Sequence, residues 1–524
     1  MPATPLSAAR RVPSGEPGQI LAALLAGALV LVGSAGCAVR GAPAGVPTLA
    51  EAHAHPSHAE QLRRDIRAIV TAPATNQAIW AVVVNSLQTG ESLYNLNAFT
   101  FLLPASNQKL VTTAVAAERL GWRHRFETRL VAMGPIVDGR LQGDLVVVGN
   151  GDPTINPRHP ERWLAFDDWA RQLRKAGVRL IEGDLIGDDR AFAQPGWGMG
   201  WELEDVRLGF AAPIGALQFN ENQVEITAGP GMTPGAAAIV TVGPATSGLR
   251  VANHAITGGV GTPASLRLER LPGSQIVDLY GSIPLEGAPV TVTASVENPT
   301  EAYLGALESA LARNDVLVKG RALDIDTLAA PPDPAAGQTL VVDLSPPLRD
   351  IIDVTNKVSR NGYAETLLRA LDQSGRPATA DEGLARVRET LARWGIDPHR
   401  YMARDGSGLS RYNFLTADML TALLTYTWID PAIADLFFDS LPESGRSGTL
   451  ERRMRGTPAE GRIRAKTGTL SHARSLSGYL RTLEGEPLVF SILVNNYRQS
   501  AAEIDQQIDA VLQRLVVYTR ATPP

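Results

Sequence analysis

Ser106 stands three residues before Lys109 at the opening of an apolar, Ala-rich stretch, Leu102 to Gly121. Pro104 precedes the pair and Gly121 ends the stretch, which are start and stop signals of a helix. Three-residue spacing puts two side chains on one helical face, where they can meet. A serine hydroxyl attacks a carbonyl poorly until a neighbouring base takes its proton. A lysine can be that base once burial and other cations depress its pKa. The same spacing also fits an N-cap serine beside a surface amine, so the pair alone is a weak signal, although Ser-x-x-Lys occurs nowhere else in the chain.

Lysine usage sharpens the question. Of 49 basic Lys and Arg residues only five are lysine: Lys109, Lys175, Lys319, Lys357 and Lys466. Arginine stays protonated at any useful pH, whereas a desolvated lysine can release its proton. Two further elements draw on this small set. Ser359-Arg360-Asn361, just after Lys357, is the single Ser-x-Asn, and Lys466-Thr467-Gly468 the single Lys-Thr-Gly.

Ser-x-x-Lys, Ser-x-Asn and Lys-Thr-Gly, in this order, resemble the three elements of penicillin-binding proteins and serine β-lactamases. The resemblance implies a role for each. Lys466, on an edge strand, places positive charge beside a substrate's terminal carboxylate, which Thr467 and Thr469 hydrogen-bond. Gly468, lacking a side chain, lets a substrate strand approach the sheet edge. Asn361 holds the substrate's amide, and Ser359 relays a proton between Lys109 and the leaving amine. The backbone N–H groups of Ser106 and Thr469 form the oxyanion hole.

Spacing separates the subfamilies. Ser106 and Ser359 are 253 residues apart, Ser359 and Lys466 only 107. The long first gap is similar to that of the D-Ala-D-Ala carboxypeptidase/endopeptidase family of penicillin-binding protein 4 (class C low-molecular-mass penicillin-binding proteins). "GNGDPTI", "LIGDDRAF", "APIGALQFNENQVEI", "NKVSRNGYAETLLRAL", "DGSGLSRYN" and "LPESGRSGTLERRM" resemble it too, and the likeness runs from about residue 60 to the C-terminus. Gly362 departs from the pattern without removing a chemical group.

The family implies that Ser106 attacks the D-Ala-D-Ala amide of peptidoglycan stem peptides, releases D-Ala, and passes the acyl group to water. Cleavage of cross-links uses the same chemistry, β-lactams should acylate Ser106, and neither metal nor organic cofactor is required. "DGSGLSRYN" has no His nearby and reads as a loop ordered by Asx and Ser turns; the family places it along the cleft, with Arg411 touching substrate. A β-lactamase and a non-catalytic wall-binding lipoprotein are the competing readings. The large insertion disfavours the first and the intact Ser106, Lys109, Ser359, Asn361 and Lys466 the second.

The elements that must position these residues show in the patterning. "AIWAVVVNS", a Thr89-Gly90 turn and "SLYNLN" form a hairpin ahead of the Ser106 helix. From about 126 to 344 short apolar strands alternate with Gly/Pro turns, interrupted by one amphipathic helix near Trp163 to Ala176. "VVVGNGDP" there lacks the Lys-Ser/Thr of a phosphate loop and reads as a strand-end turn. Beyond 345 helices return: one with Leu384, Val387, Leu391 and Trp394 on one face, and one capped by Thr416. Strands at "SLSGYLRTL" and "LVFSILVNN" and a last helix with Ile504, Ile508, Val511 and Leu515 follow.

The expected fold is α/β: a transpeptidase domain (58–125 and 345–524) with an antiparallel sheet and helices on both faces. One or two mostly β accessory domains (126–344) interrupt it.

Arg10 and Arg11 precede an apolar run, Ile20 to Val32, that fits a signal-peptide core. The single Cys in the chain, Cys37, follows Ser34-Ala35-Gly36 and resembles a bacterial lipoprotein processing site. Residues 1–37 are thus expected to be a lipoprotein-type signal and 38–57 a flexible tether. His53, His55 and His58 in and beside that tether read as solvated rather than metal-binding. An exported, periplasmic, lipid-anchored protein is the expectation. Net charge is −5 with no basic stripe, which argues against nucleic acid as a partner.

Overall fold

The computed structural model describes residues 57–72 and 77–520. The signal segment with Cys37, and the tether as far as residue 56, lie outside the described residues. Among the described residues no helix is long and apolar enough to cross a membrane.

A five-stranded antiparallel sheet organises both ends of the chain. Its order is Ser92–Leu96, Ile79–Ser86, Pro487–Asn495, Ala473–Arg481, Ile463–Leu470. Alternate residues of a strand face opposite sides of the sheet, and both sides here are apolar. Trp80, Val82, Val84, Phe490 and Ile492 pack against the helices His58–Val70 and Ala501–Val516. Ala81, Val83, Val489 and Leu493 pack against helices on the other side, through Leu110, Ile351, Leu367, Leu384 and Leu420. Those helices span Gln108–Leu120, Leu348–Lys357, Asn361–Ala370, Ala380–Arg393 and Ala417–Ile429. Both sheet-covering terminal helices start with a capping box, at Ser57 and Ser500. Thr416 accepts from the Met419 N–H, as its position before an apolar run predicts. The sheet with helices on both faces is the expected one.

The middle region departs from the expectation of β structure with one helix. Its first part is a mixed sheet ordered Ala322–Asp324, Leu185–Asp188, Leu145–Gly149, Glu127–Ala132, Gln338–Leu344, with parallel pairs at Leu185–Asp188. Two helices cover it, Ala165–Lys175 and Pro299–Arg313, meeting at Phe166, Trp169 and Tyr303. The second was not foreseen because it is buried around most of its circumference, from Pro299 to Leu311, and so shows no two-faced periodicity. Asn298, whose side chain accepts from Thr300 and Glu301 N–H, and Pro299 were its local marks. A further part holds two small sheets around Ile226, Val277, Leu279 and Ile283. "GNGDP" is a strand-end turn: Asp152 accepts from Thr154 N and Oγ1 at 2.8 and 2.6 Å and pairs with Arg162.

This middle region grips the Asn361–Ala370 helix. Asn156 donates to the Tyr363 hydroxyl, Gln218 donates to Thr366, and Glu221 pairs with Arg360 just ahead of the helix. Ala193 and Ala378 exchange a further backbone hydrogen bond across the same seam.

Candidate active site

Ser106 sits in a 3-10 turn, Ala105–Asn107, that runs directly into the Gln108–Leu120 helix. Its hydroxyl caps no helix N–H, so the N-cap reading fails. Ala105 has φ +46°, a conformation that L residues hold only when their surroundings over-determine it. The turn is clamped to the edge strand: Asn107 Nδ2 donates to the Lys466 carbonyl at 2.7 Å, and Ser475 Oγ to the Pro104 carbonyl at 2.6 Å.

Lys109 is fully buried, and its Nζ lies 2.8 Å from Ser106 Oγ, 2.6 Å from Asn361 Oδ1 and 2.7 Å from the Ser407 carbonyl. Burial is the largest influence on its pKa and brings it down to about 7 against the pull of Asp405 and Glu365, with Arg360 pushing the same way as burial. A substantial neutral fraction therefore exists near neutral pH, beside a serine hydroxyl. That is the pairing general-base activation needs.

Lys466 is equally buried and donates to Ser359 Oγ at 2.7 Å and to the Thr467 carbonyl at 3.0 Å. Burial, then the charge on Lys109, hold its ammonium well below the usual lysine range. Lys466 lies on the edge strand as predicted, with its Nζ hydrogen-bonded to Ser359. The hydroxyls of Thr467 and Thr449 front the cleft, hydrogen-bonded to each other at 2.7 Å, with Thr469 exposed beyond them. Ser359 itself has φ +64°, a second strained position at the centre of the site.

Gly468 is constrained by the protein rather than by an approaching substrate strand. A Cβ there would lie 2.0 Å from Ser475 Oγ, 2.7 Å from the Pro104 carbonyl oxygen and 3.0 Å from Ser106 N. Its absence lets the nucleophile turn seat against the edge strand. The Ser106 N–H thus comes beside the strand that carries Thr469, as an oxyanion hole built from the two requires.

Asn361 is hydrogen-bonded through both ends of its amide. Its Oδ1 accepts from Lys109, and its Nδ2 donates to the Phe210 carbonyl of the middle region at 2.7 Å.

The "DGSGLSRYN" loop is ordered as its Asx and Ser content predicts. Buried Asp405 accepts from Gly408 N, Ser410 N, Asn413 Nδ2 and Trp201 Nε1, at 2.6–3.0 Å. Glu365 Oε1 accepts from Gly406 N at 2.9 Å and Ser407 N at 2.7 Å, which aims the Ser407 carbonyl at Lys109. Arg411 reaches the cleft, but its guanidinium is held by Glu202 at 2.7 Å and by the Ser471 carbonyl at 3.0 Å.

A cleft of about 410 Å³ joins these parts, bounded by Ser106, Ser359, Asn361, Thr467, Thr469 and Arg411, with Asp205 and Phe210 from the middle region. The structure thus gathers every site residue proposed from the motifs; Lys109 and Lys466 stand behind the wall. Glu365, Thr449, Asp205 and Phe210 were missed. The first two sit inside stretches whose family likeness was visible. Asp205 and Phe210 carry no local signal, because only the fold of the middle region brings them here.

A nucleophile turn clamped to an edge strand, with one buried lysine behind each of two serines, defines a serine acyl-enzyme of the penicillin-binding type. The family model of the D-Ala-D-Ala carboxypeptidase 3 (S13) family matches residues 62–515, and the chain belongs to that family. The chain is 38% identical over 491 residues to the D-alanyl-D-alanine carboxypeptidase of Actinomadura sp. (strain R39), covering 91% of this chain and 88% of that one. It is 27% identical over 421 residues to the D-alanyl-D-alanine carboxypeptidase DacB of Haemophilus influenzae, covering 79% and 85%. The crystal structure of penicillin binding protein 4 from Haemophilus influenzae superposes with a TM-score of 0.75 at 25% identity, covering 86% of this chain and 98% of that one.

Proposed function

We propose that the protein is a serine D-Ala-D-Ala carboxypeptidase acting on peptidoglycan stem peptides through an acyl-enzyme on Ser106. The observation that carries the reading is the 2.8 Å contact between Ser106 Oγ and a fully buried Lys109. Neutral Lys109 takes the hydroxyl proton as Oγ attacks the carbonyl of the terminal D-Ala-D-Ala bond. The backbone N–H groups of Ser106 and Thr469 hold the oxyanion. Collapse of the tetrahedral intermediate breaks the C–N bond. Ser359, backed by Lys466, passes a proton to the departing amine, and Lys109 resupplies it. Water then attacks the ester with Lys109 again as base, freeing Ser106.

Thr467, Thr469 and Thr449 offer hydroxyls to the substrate's terminal carboxylate, and Arg411 lies at the cleft rim. Because the leaving amine need only fit the cleft, cross-linked stem peptides are substrates of the same step, giving endopeptidase action. β-Lactams, which carry a strained amide in the same position, acylate Ser106. The signal-like N-terminus and Cys37 support an exported, periplasmic protein held to a membrane by lipid.

Labelling with a fluorescent penicillin tests the assignment. Wild type should label covalently, and Ser106→Ala should not while keeping its melting temperature within a few degrees. Mass spectrometry that finds the adduct on any other residue would remove Ser106 as nucleophile.

A further inference from the structure

The Asn361–Ala370 helix carries a second functional group one turn beyond Asn361. Glu365 is fully buried, as is the Arg369 guanidinium one turn further on, which approaches its Oε2 at 3.4 Å. Its Oε1 accepts two consecutive backbone N–H groups, of Gly406 and Ser407. The carbonyl of that same Ser407 accepts from Lys109 Nζ. A single residue, Ser407, thus stands between carboxylate and ammonium, hydrogen-bonded to the one through its N–H and to the other through its C=O. Glu365, together with Asp405, holds the loop that presents the Ser407 carbonyl to Lys109.

The arrangement is electrostatic as well as steric. Lys109 is faced by Asp405 and Glu365 as anions and by Arg360 and Lys466 as cations. Glu365 is faced by Asp405 and Arg369, and burial raises its carboxyl to about 7. Of the anions facing Lys109, Asp405 accepts from three donors of its own loop and from Trp201. Asp405 reaches the lysine through the 407–408 peptide, and Glu365 through the N–H on the other side of Ser407.

We propose that Glu365 is a positioning residue that sets the pH at which Lys109 activates Ser106, acting through Ser407. The inference rests on the reading of Lys109 as general base. Glu365 favours the ammonium, so it holds the base protonated to higher pH than burial alone would. It also keeps the lysine basic enough to draw the serine proton once it is free.

The test is the pH profile of acylation by a chromogenic cephalosporin, from pH 5 to 9, in wild type, Glu365→Gln and Lys109→Arg. Glu365→Gln preserves shape and acceptor but removes the charge. Its acid limb should move to lower pH by about one unit, a tenfold change in the lysine's proton affinity, with a lower plateau. A plateau that falls by one factor at every pH, with the limb unmoved, would leave Glu365 a merely structural role and overturn the proposal. Substantial acylation by Lys109→Arg would instead overturn the general-base reading beneath it. Should Glu365→Gln fail to fold, carbon-13 NMR of the Glu365 carboxyl in wild type and in Lys109→Met gives the reciprocal measurement. Loss of the cation should raise that titration by a comparable amount, and an unmoved titration would overturn the coupling.

Discussion

At the scale of the residue, the site separates two lysines that share burial and differ in what they touch. Lys109 meets the nucleophile itself, while Lys466 meets Ser359 and a backbone carbonyl. Arginine in place of Lys109 would keep the charge but could not accept the Ser106 proton, and its larger guanidinium would enter a fully packed position. Lys109→Arg should therefore slow penicillin acylation as severely as Lys109→Ala, by roughly 10²–10⁴-fold, the usual size of a general-base contribution. Stopped-flow acylation rates check this; near-normal acylation by the arginine variant would show that Lys109 supplies charge alone. The three motifs were legible because each side chain's chemistry is carried by its type and spacing. The partner of Lys466 was not, since a strand position says which face a residue occupies and not what waits there.

At the scale of the element, the meeting of the Ala105–Asn107 turn with the Ile463–Leu470 strand is the joint on which the geometry depends. Gly468 permits it. In Gly468→Ala the new methyl meets the Pro104 carbonyl oxygen and crowds Ser106 N, and the backbone cannot rotate away as a long side chain would. Overpacking of this kind costs about 1–3 kcal/mol, and a displacement of about 1 Å in the nucleophile costs about 10²-fold in rate. Gly468→Ala should thus lose acylation far out of proportion to its loss of stability. Thermal unfolding and acylation rates on the same sample compare the two, and full activity would remove Gly468 from the joint. The motif reading reserved the space at Gly468 for substrate. Only the packing of Pro104 and Ser475 shows that the protein occupies it.

At the scale of the whole molecule, the middle region is bound to the domain it interrupts through buried polar contacts, and a buried carboxyl inside that region makes stability depend on pH. Asp189 lies near the seam, almost wholly buried, accepting from Thr300 Oγ1 with Asp324 and Asp326 close by. Burial lifts its carboxyl from 3.8 to about 6, and Asp324 and Asp326 push the same way. Between about pH 4 and 6 the folded chain therefore binds more protons here than the unfolded chain. Stability contributed by this group is full below that window and is lost as pH rises through it. Asp189→Asn, neutral at every pH and still able to accept from Thr300, should stabilise the protein by about 2–3 kcal/mol above pH 6.5 and by little at pH 4. Melting temperatures across that range measure the effect; a gain independent of pH would assign it to packing instead.

Ser106, Lys109, Ser359, Asn361 and Lys466, the terminal strands, and the long interruption between the first two motifs were all determined by the sequence alone. Period-two and helical apolar patterns report local burial, and short motifs report chemistry that few residue types can perform. The helix Pro299–Arg313 escaped because burial on nearly all sides erases the contrast that periodicity reads. Phe210, Asp205, Thr449 and Glu365 escaped for a different reason. Their parts in the site come from contacts between segments from 18 to 151 residues apart, such as Thr467 with Thr449 or Asn361 with Phe210. Tertiary structure alone decides such contacts, because a hydrogen bond or a pKa shift acts over a few ångströms of space and is blind to distance along the chain.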